Sequence, residues 1–153
     1  MVRSLTYRTF QLRRETNLST LAARLEDKDS AVRVAAAEQL GNVGKHIAPA
    51  VQEALAACLR DEDWSLRFEA AKALGNLGKH AAPAVHEALT ACLKDENSFV
   101  RKAAAEALGN LGEHAAPAVQ EALTAYLKDT DSAVRFAAAE ALRREAMFTL
   151  SPS

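Results

Sequence analysis

The sequence predicts an all-α fold, an α-solenoid (α/α superhelix) of four helix-turn-helix repeats. Three observations carry this. One pattern recurs with a period of 34 residues, opening at Leu21, Leu55, Leu89 and Leu123. Each copy holds two apolar patterns of helical period, separated by turn residues. Apolar residues make up 49% of the chain while aromatics make up only 5%, and the abundance of alanine suits closely packed helices. A fixed period of this size marks stacked units that bury their apolar faces only against their neighbours.

The first helix of a unit is expected to begin at Ala48-Pro49, Ala82-Pro83 and Ala116-Pro117. Proline fits the first helical position, where an N–H has no intrahelical partner. In the second copy Val51, Leu55 and Leu59 recur every four residues, widened by Ala54 and Cys58, and the helix ends near Arg60. An acidic turn follows, reading DKD, DED, DEN and DTD in the four copies. Its last residue (Asp29, Asp63, Asn97 or Asp131) can accept the free N–H groups of the second helix. Ser30 and Ser132 read as helix-start residues. The second helix carries Leu66, Ala70, Ala73, Leu74 and Leu77 on one face and stops at Gly78, as its equivalents stop at Gly44 and Gly112. Glycine enters the left-handed conformation of a helix end at little cost. The short connection that follows makes successive helices antiparallel.

The expected organisation is a basic, non-repeating segment over 1–14, a solenoid over 15–148 and a frayed tail over 149–153. The repeats span about 15–47, 48–81, 82–115 and 116–148. In the fourth copy Arg143-Arg144-Glu145-Ala146 replaces the glycine-rich ending, which suits a cap with no following repeat. The N-terminal segment carries Arg3, Arg8, Arg13 and Arg14 before the first acid, Glu15. It reads as a capping helix, a targeting sequence or an arm that touches RNA or an acidic partner.

Asp27, Asp61, Asp95 and Asp129 each stand six residues before Arg33, Arg67, Arg101 and Arg135. One acid for every base predicts an Asp–Arg ladder between repeats rather than a cluster of anion-binding arginines. Lys+Arg 19 against Asp+Glu 20 gives a net charge of −1, so the chain as a whole has no attraction for nucleic acid. Nucleic-acid binding is expected only through the N-terminal arm. No apolar run approaches the roughly 18 residues of a membrane span.

The run D-x-D/N-x-x-V/L-R-x-x-A-A-x-A-L-G-N-L-G resembles a HEAT repeat, in particular the short HEAT-like type of phycobilisome lyases, over about Asn17 to Leu142. The resemblance implies a right-handed solenoid with first helices on the convex side and second helices on the concave side. It implies a protein or peptide partner and a non-catalytic scaffold, as a monomer or as a subunit of a complex. The alternatives are a phycobilin-lyase-like or assembly-factor subunit, a structural subunit of a larger organellar or ribonucleoprotein complex, and a consensus-engineered scaffold. The expected location is the cytoplasm, with mitochondrion or plastid as alternatives.

Positions that differ between copies cluster on the second helices. They give a candidate partner-binding set of Trp64, Ser65, Phe68, Glu69, Lys72, Ser98, Phe99, Lys102, Glu106, Phe136 and Glu140. Trp64, Phe68 and Lys72 share one helix face. Large aromatics on an alanine-rich scaffold can anchor a partner, or they can fold down over the helix ends and complete the core. The charges around them make the patch mixed, which suits a protein or peptide better than a phosphate backbone.

No catalytic residue, metal site or cofactor is expected. His46, His80 and His114 repeat at the solenoid step of roughly 10 Å, too far apart to share an ion whose ligands lie within about 2.1 Å of it. Deoxyhypusine hydroxylases resemble these repeats and use His-Glu pairs for a di-iron site. Here the comparable slots read Ala71-Lys72 and Ala105-Glu106. His86-Glu87 falls in a first helix instead, where His86 replaces Gln52 and Gln120. Cys58 and Cys92 are equivalent positions on stacked helices, about 8–10 Å apart and beyond the roughly 7 Å of a disulfide. They are expected to be small buried hydrophobes.

Overall fold

The structure, a computed structural model, describes residues 6, 8, 17–112 and 117–150. The basic segment expected over 1–14 lies outside the described residues apart from positions 6 and 8, as do His114 and the tail from 151. The described elements are α1 (residues 17–24), α2 (Ser30–Val43), α3 (Pro49–Cys58), α4 (Trp64–Gly75), α5 (Pro83–Cys92), α6 (Ser98–Asn110), α7 (Pro117–Ala125) and α8 (Ser132–Leu150). No strand occurs among the described residues. The even-numbered helices stack as one layer and the odd-numbered helices as the other.

The D-x-D/N turn starts each even helix by a two-step relay. Oδ1 of Asp61 accepts the N–H of Asp63 at 2.9 Å, and Oδ1 of Asp63 accepts the N–H of Ser65 at 2.9 Å. The same relay runs from Asp27 through Asp29, from Asp95 through Asn97 and from Asp129 through Asp131. These bonds satisfy helix N-terminal donors that otherwise have no partner. The bond from Ser65 holds the Asp63 carboxyl below its usual range. At the other end Gly44, Gly78 and Gly112 take φ of +64°, +55° and +82°, so these sites require glycine.

The two layers close over a core of leucine and alanine. Leu40, Leu55, Leu66, Leu74, Leu89 and Leu123 are fully buried. Within the even-helix layer the backbones nearly touch. A Cβ placed on Gly75 would lie 2.8 Å from the Cα of Ala107, and one on Gly109 would lie 2.9 Å from the Cα of Ala141. Such close approach makes this layer the tighter of the two.

Polar side chains tie one repeat to the next. Nε2 of Gln52 donates to the carbonyls of Ile47 and His80, both at 3.2 Å, while its Oε1 accepts the N–H of Ala82 at 3.0 Å. Nδ2 of Asn76 donates to the carbonyl of Gly41 at 3.0 Å. The expected ladder is present as well: Arg33 pairs with Asp61, Arg67 with Asp95 and Arg101 with Asp129. Each arginine also donates to the carbonyl of the aspartate six residues before it, so it clamps its own turn while reaching the next.

The fourth repeat departs from the others. Arg143-Arg144-Glu145-Ala146 stands where Gly109-Asn110-Leu111-Gly112 stands in the third. Without a glycine to enter positive φ, α8 continues to Leu150, two residues past the boundary expected at 148. One charge of this stretch lies in the core. Glu145 takes the place of the buried Leu77 and Leu111 and is only 5% exposed. Among the described residues both of its carboxylate oxygens lack a hydrogen-bond partner, and burial raises its pKa.

Candidate partner-binding site

The N-cap relay sets the first residue of each even helix at the same height in successive repeats. It therefore brings Trp64 at the start of α4 beside Phe99 at the start of α6. Their rings stack with centroids 5.8 Å apart and planes 26° apart. Phe68, one turn after Trp64, meets it edge-on at 6.4 Å. Nζ of Lys72 lies 5.1 Å from the Phe68 ring centre and 3.5 Å from the Glu69 carboxylate. Five of the sequence-predicted residues thus form one contiguous cluster across two repeats.

Exposure divides the aromatics. Trp64 is 44% exposed, Phe99 60% and Phe136 68%. Burying such rings in a partner gains about 25 cal/mol for each Å² removed from water. Phe68 is half-buried and packs against the core, so it supports Trp64 from below. Ser65 and Ser98 are partly buried in the first turns of α4 and α6. Of the neighbouring variable positions, Ala103 and Ala137 are buried and unavailable to a partner.

Phe136 belongs to a second patch. It borders a cleft of about 220 Å³ between α6 and α8, lined also by Glu106, Asn110, Glu140 and Arg144. The charges here are paired locally. Lys102 meets Glu106 at 3.6 Å and Arg143 meets Glu140 at 2.9 Å, the latter lowering the Glu140 pKa. Arg144 donates to Oδ1 of Asn110. Sequence comparison between copies missed Asn110, Arg143 and Arg144, because the first belongs to the repeat framework and the other two were assigned to the cap. It also missed the exposed Met147, Phe148 and Leu150 at the end of α8, where the repeat gives no register.

Among the described residues no three or more His, Cys, Asp or Glu side chains are grouped to hold a metal ion. His46 and His80 are exposed in single 3-10 turns. Cys58 and Cys92 are free and buried. Among the described residues no helix is long and apolar enough to cross a membrane.

Comparison with known proteins agrees with this geometry. The family described as HEAT repeats matches residues 18–109 and, in an overlapping match, 53–143. Nothing among curated proteins matches significantly. Among solved structures the chain is similar to an engineered protein at 28% identity, with a TM-score of 0.69, over 85% of this chain and 62% of that one. It is similar to human deoxyhypusine hydroxylase at 30% identity and TM-score 0.68, over 85% of this chain and 43% of that one. It is also similar to the complex of CpcE and CpcF of phycocyanin lyase from Nostoc, at 26% identity and TM-score 0.60, over 85% of this chain and 65% of that one. The chain therefore spans less than two thirds of the length of each. The recurring Asp–Arg ladder, the positive-φ glycines that follow α2, α4 and α6, and the match across most of the sequence agree: the chain belongs to the HEAT-repeat family.

Proposed function

We propose that this protein is a non-catalytic scaffold that binds a protein or peptide partner on its even-helix face. The observation that carries the reading is the Trp64–Phe99 stack. Two large rings from different repeats stay substantially exposed although an alanine-rich array has no need of them for its core. Hot spots of protein interfaces are enriched in such aromatics, and the surrounding ion pairs form a polar rim. The binding set is Trp64, Phe99 and Phe136 as anchors. Phe68 supports Trp64, and Ser65, Glu69, Lys72, Ser98, Lys102, Glu106 and Glu140 surround the anchors.

The absence of catalysis is part of the proposal. A His-Glu pair on an even helix would be needed for chemistry like that of the hydroxylase, and these slots hold Ala71-Lys72 and Ala105-Glu106. A second reading, a subunit that works with another chain, draws support from the lyase relative, which is itself a complex of two chains.

The test is selection from a random peptide display library on wild type and on Trp64→Ser/Phe99→Ser. The proposal expects aromatic-rich or aliphatic-rich peptides that bind wild type and lose at least tenfold affinity for the variant, about 1.4 kcal/mol. Peptides that bind both equally would place recognition elsewhere.

A further inference from the structure

We propose that two copies of this chain associate about a two-fold axis through the side of α8 that bears Arg135, Ala139 and Leu142, with the two α8 helices antiparallel. The repeat itself shows what that side lacks. Leu25, Leu59 and Leu93 are at most 7% exposed, while their equivalent Leu127 is 39% exposed. Ala37, Ala71 and Ala105 are fully buried, while Ala139 is exposed. Leu142 is half-buried where Leu40, Leu74 and Leu108 are buried. Arg135, Ala139, Leu142, Ala146 and Leu150 share one side of α8 at helical spacing. Among the described residues α8 packs chiefly on α6, α7 and the adjoining Tyr126–Lys128 turn.

A further repeat stacked in the usual manner does not fit here. In the close stack of even helices, a Cβ on Gly75 or Gly109 would come 2.8 or 2.9 Å from the Cα of Ala107 or Ala141. Arg143 stands in the glycine slot of the fourth repeat, and Gln39 stands in the alanine slot of the first. Head-to-tail stacking of two copies would set these two large side chains against each other where the backbones must nearly touch.

The face matches itself instead. Ala139 and Ala146 stand equally far on either side of the Leu142–Arg143 peptide, as do Arg135 and Leu150. An antiparallel pair centred on that peptide sets Ala139 of each copy against Ala146 of the other and brings the two Leu142 side chains together. Leu150, 82% exposed at the far end of α8, then covers Leu127 beside the start of the other copy's helix. The charges complement as well. Arg33, Arg67 and Arg101 each reach a carboxylate of the next repeat, whereas Arg135 reaches none among the described residues. The pairing lays Arg135 at the C-terminal end of the other α8, the negative end of that helix's dipole. Arg143 comes close to the axis already neutralised by Glu140, which it meets through bonds of 3.1 and 2.9 Å. A contact of this self-complementary kind closes at two copies. Trp64 and Phe99 lie on α4 and α6 and stay open, so the dimer stands apart from the partner reading.

Sedimentation equilibrium of the full chain over about a hundredfold range of concentration gives the test. The expected wild-type mass rises from that of one chain to twice that value and no further. Two double variants fix the register, both at exposed positions where the change leaves the fold of one copy intact. In Ala139→Glu/Ala146→Glu the antiparallel contact opposes acid to acid, and dimerisation should weaken by about tenfold or more. In Ala139→Glu/Ala146→Lys it opposes acid to base, and the dimer should return, whereas a parallel pair would meet like charges in both variants. A wild type that stays monomeric throughout, growth beyond two copies, or the same dimerisation in both variants would each overturn the proposal.

Discussion

Arg101 grips Asp129 of the next repeat through two parallel bonds, Nε to Oδ2 at 2.9 Å and Nη2 to Oδ1 at 3.0 Å. Both side chains are largely buried, at 14% and 7% exposure. The pairing lowers the Asp129 pKa. Arg135 occupies the same register in the fourth repeat, is exposed, and among the described residues bonds the carbonyls of Asp129 and Thr130 and no carboxylate. Arg101→Leu should therefore cost about 3–5 kcal/mol, because it strands a buried carboxylate. Arg135→Leu should cost no more than about 1 kcal/mol. Urea denaturation of both variants checks the contrast. Because the folded pKa of Asp129 is depressed, the pair's stabilisation is present above the ordinary aspartate pKa and fades as pH falls through the lowered value. The Arg101→Leu deficit should shrink on acidification.

Gly75→Ala tests the close stacking of even helices. In an open helix this change would stabilise by about 0.5–1 kcal/mol. Here the new Cβ would meet the Cα of Ala107 at 2.8 Å, and backbone cannot rotate aside. Overpacking typically costs about 1–3 kcal/mol, so the clash wins and the melting temperature should drop. At Gly41 the nearest atoms are 3.2 and 3.3 Å away, and Gly41→Ala should be milder.

Glu145→Leu should stabilise the protein at neutral pH. It restores the residue type of Leu77 and Leu111 and removes an unpartnered buried carboxylate, a gain of about 1–3 kcal/mol. Burial raises the folded-state pKa above the ordinary value, so wild-type stability from this group is greatest in acid and falls as pH rises. The gain from Glu145→Leu should accordingly be larger at pH 7.5 than at pH 4, as read by calorimetry.

Burial pushes the Cys58 thiol up to about 11 and the Cys92 thiol up to about 12. Both thiols stay protonated at pH 8 and shielded from reagent. Ellman's reagent should therefore label neither in the native protein and both in 6 M guanidinium chloride.

Framework and site were not equally legible in the sequence. The repeat exposes every framework residue four times, so the Asp63 cap, the Gly78 stop and the Arg67–Asp95 pair could be read from spacing alone. The patch around Trp64 was legible as variation against that frame, but which rings stay exposed was not. Phe68 and Phe136 are equivalent in register, yet Phe68 is half-buried and packs on the core beneath Trp64, while Phe136 is 68% exposed and meets no other ring among the described residues. Contacts of that kind depend on the residue in the adjacent repeat. Glu145 depends on register in the same way: its charge suits a cap, yet its place in the repeat, that of Leu77 and Leu111, puts it in the core.

Trp64 is the sole tryptophan and stands within the proposed anchor cluster, so its fluorescence reports directly on the central claim. A peptide selected on wild type would be titrated while emission and heat are recorded in parallel. The account predicts a blue shift as the half-exposed indole is covered, with the same midpoint by both methods. Binding heat with no change in Trp64 emission would contradict it.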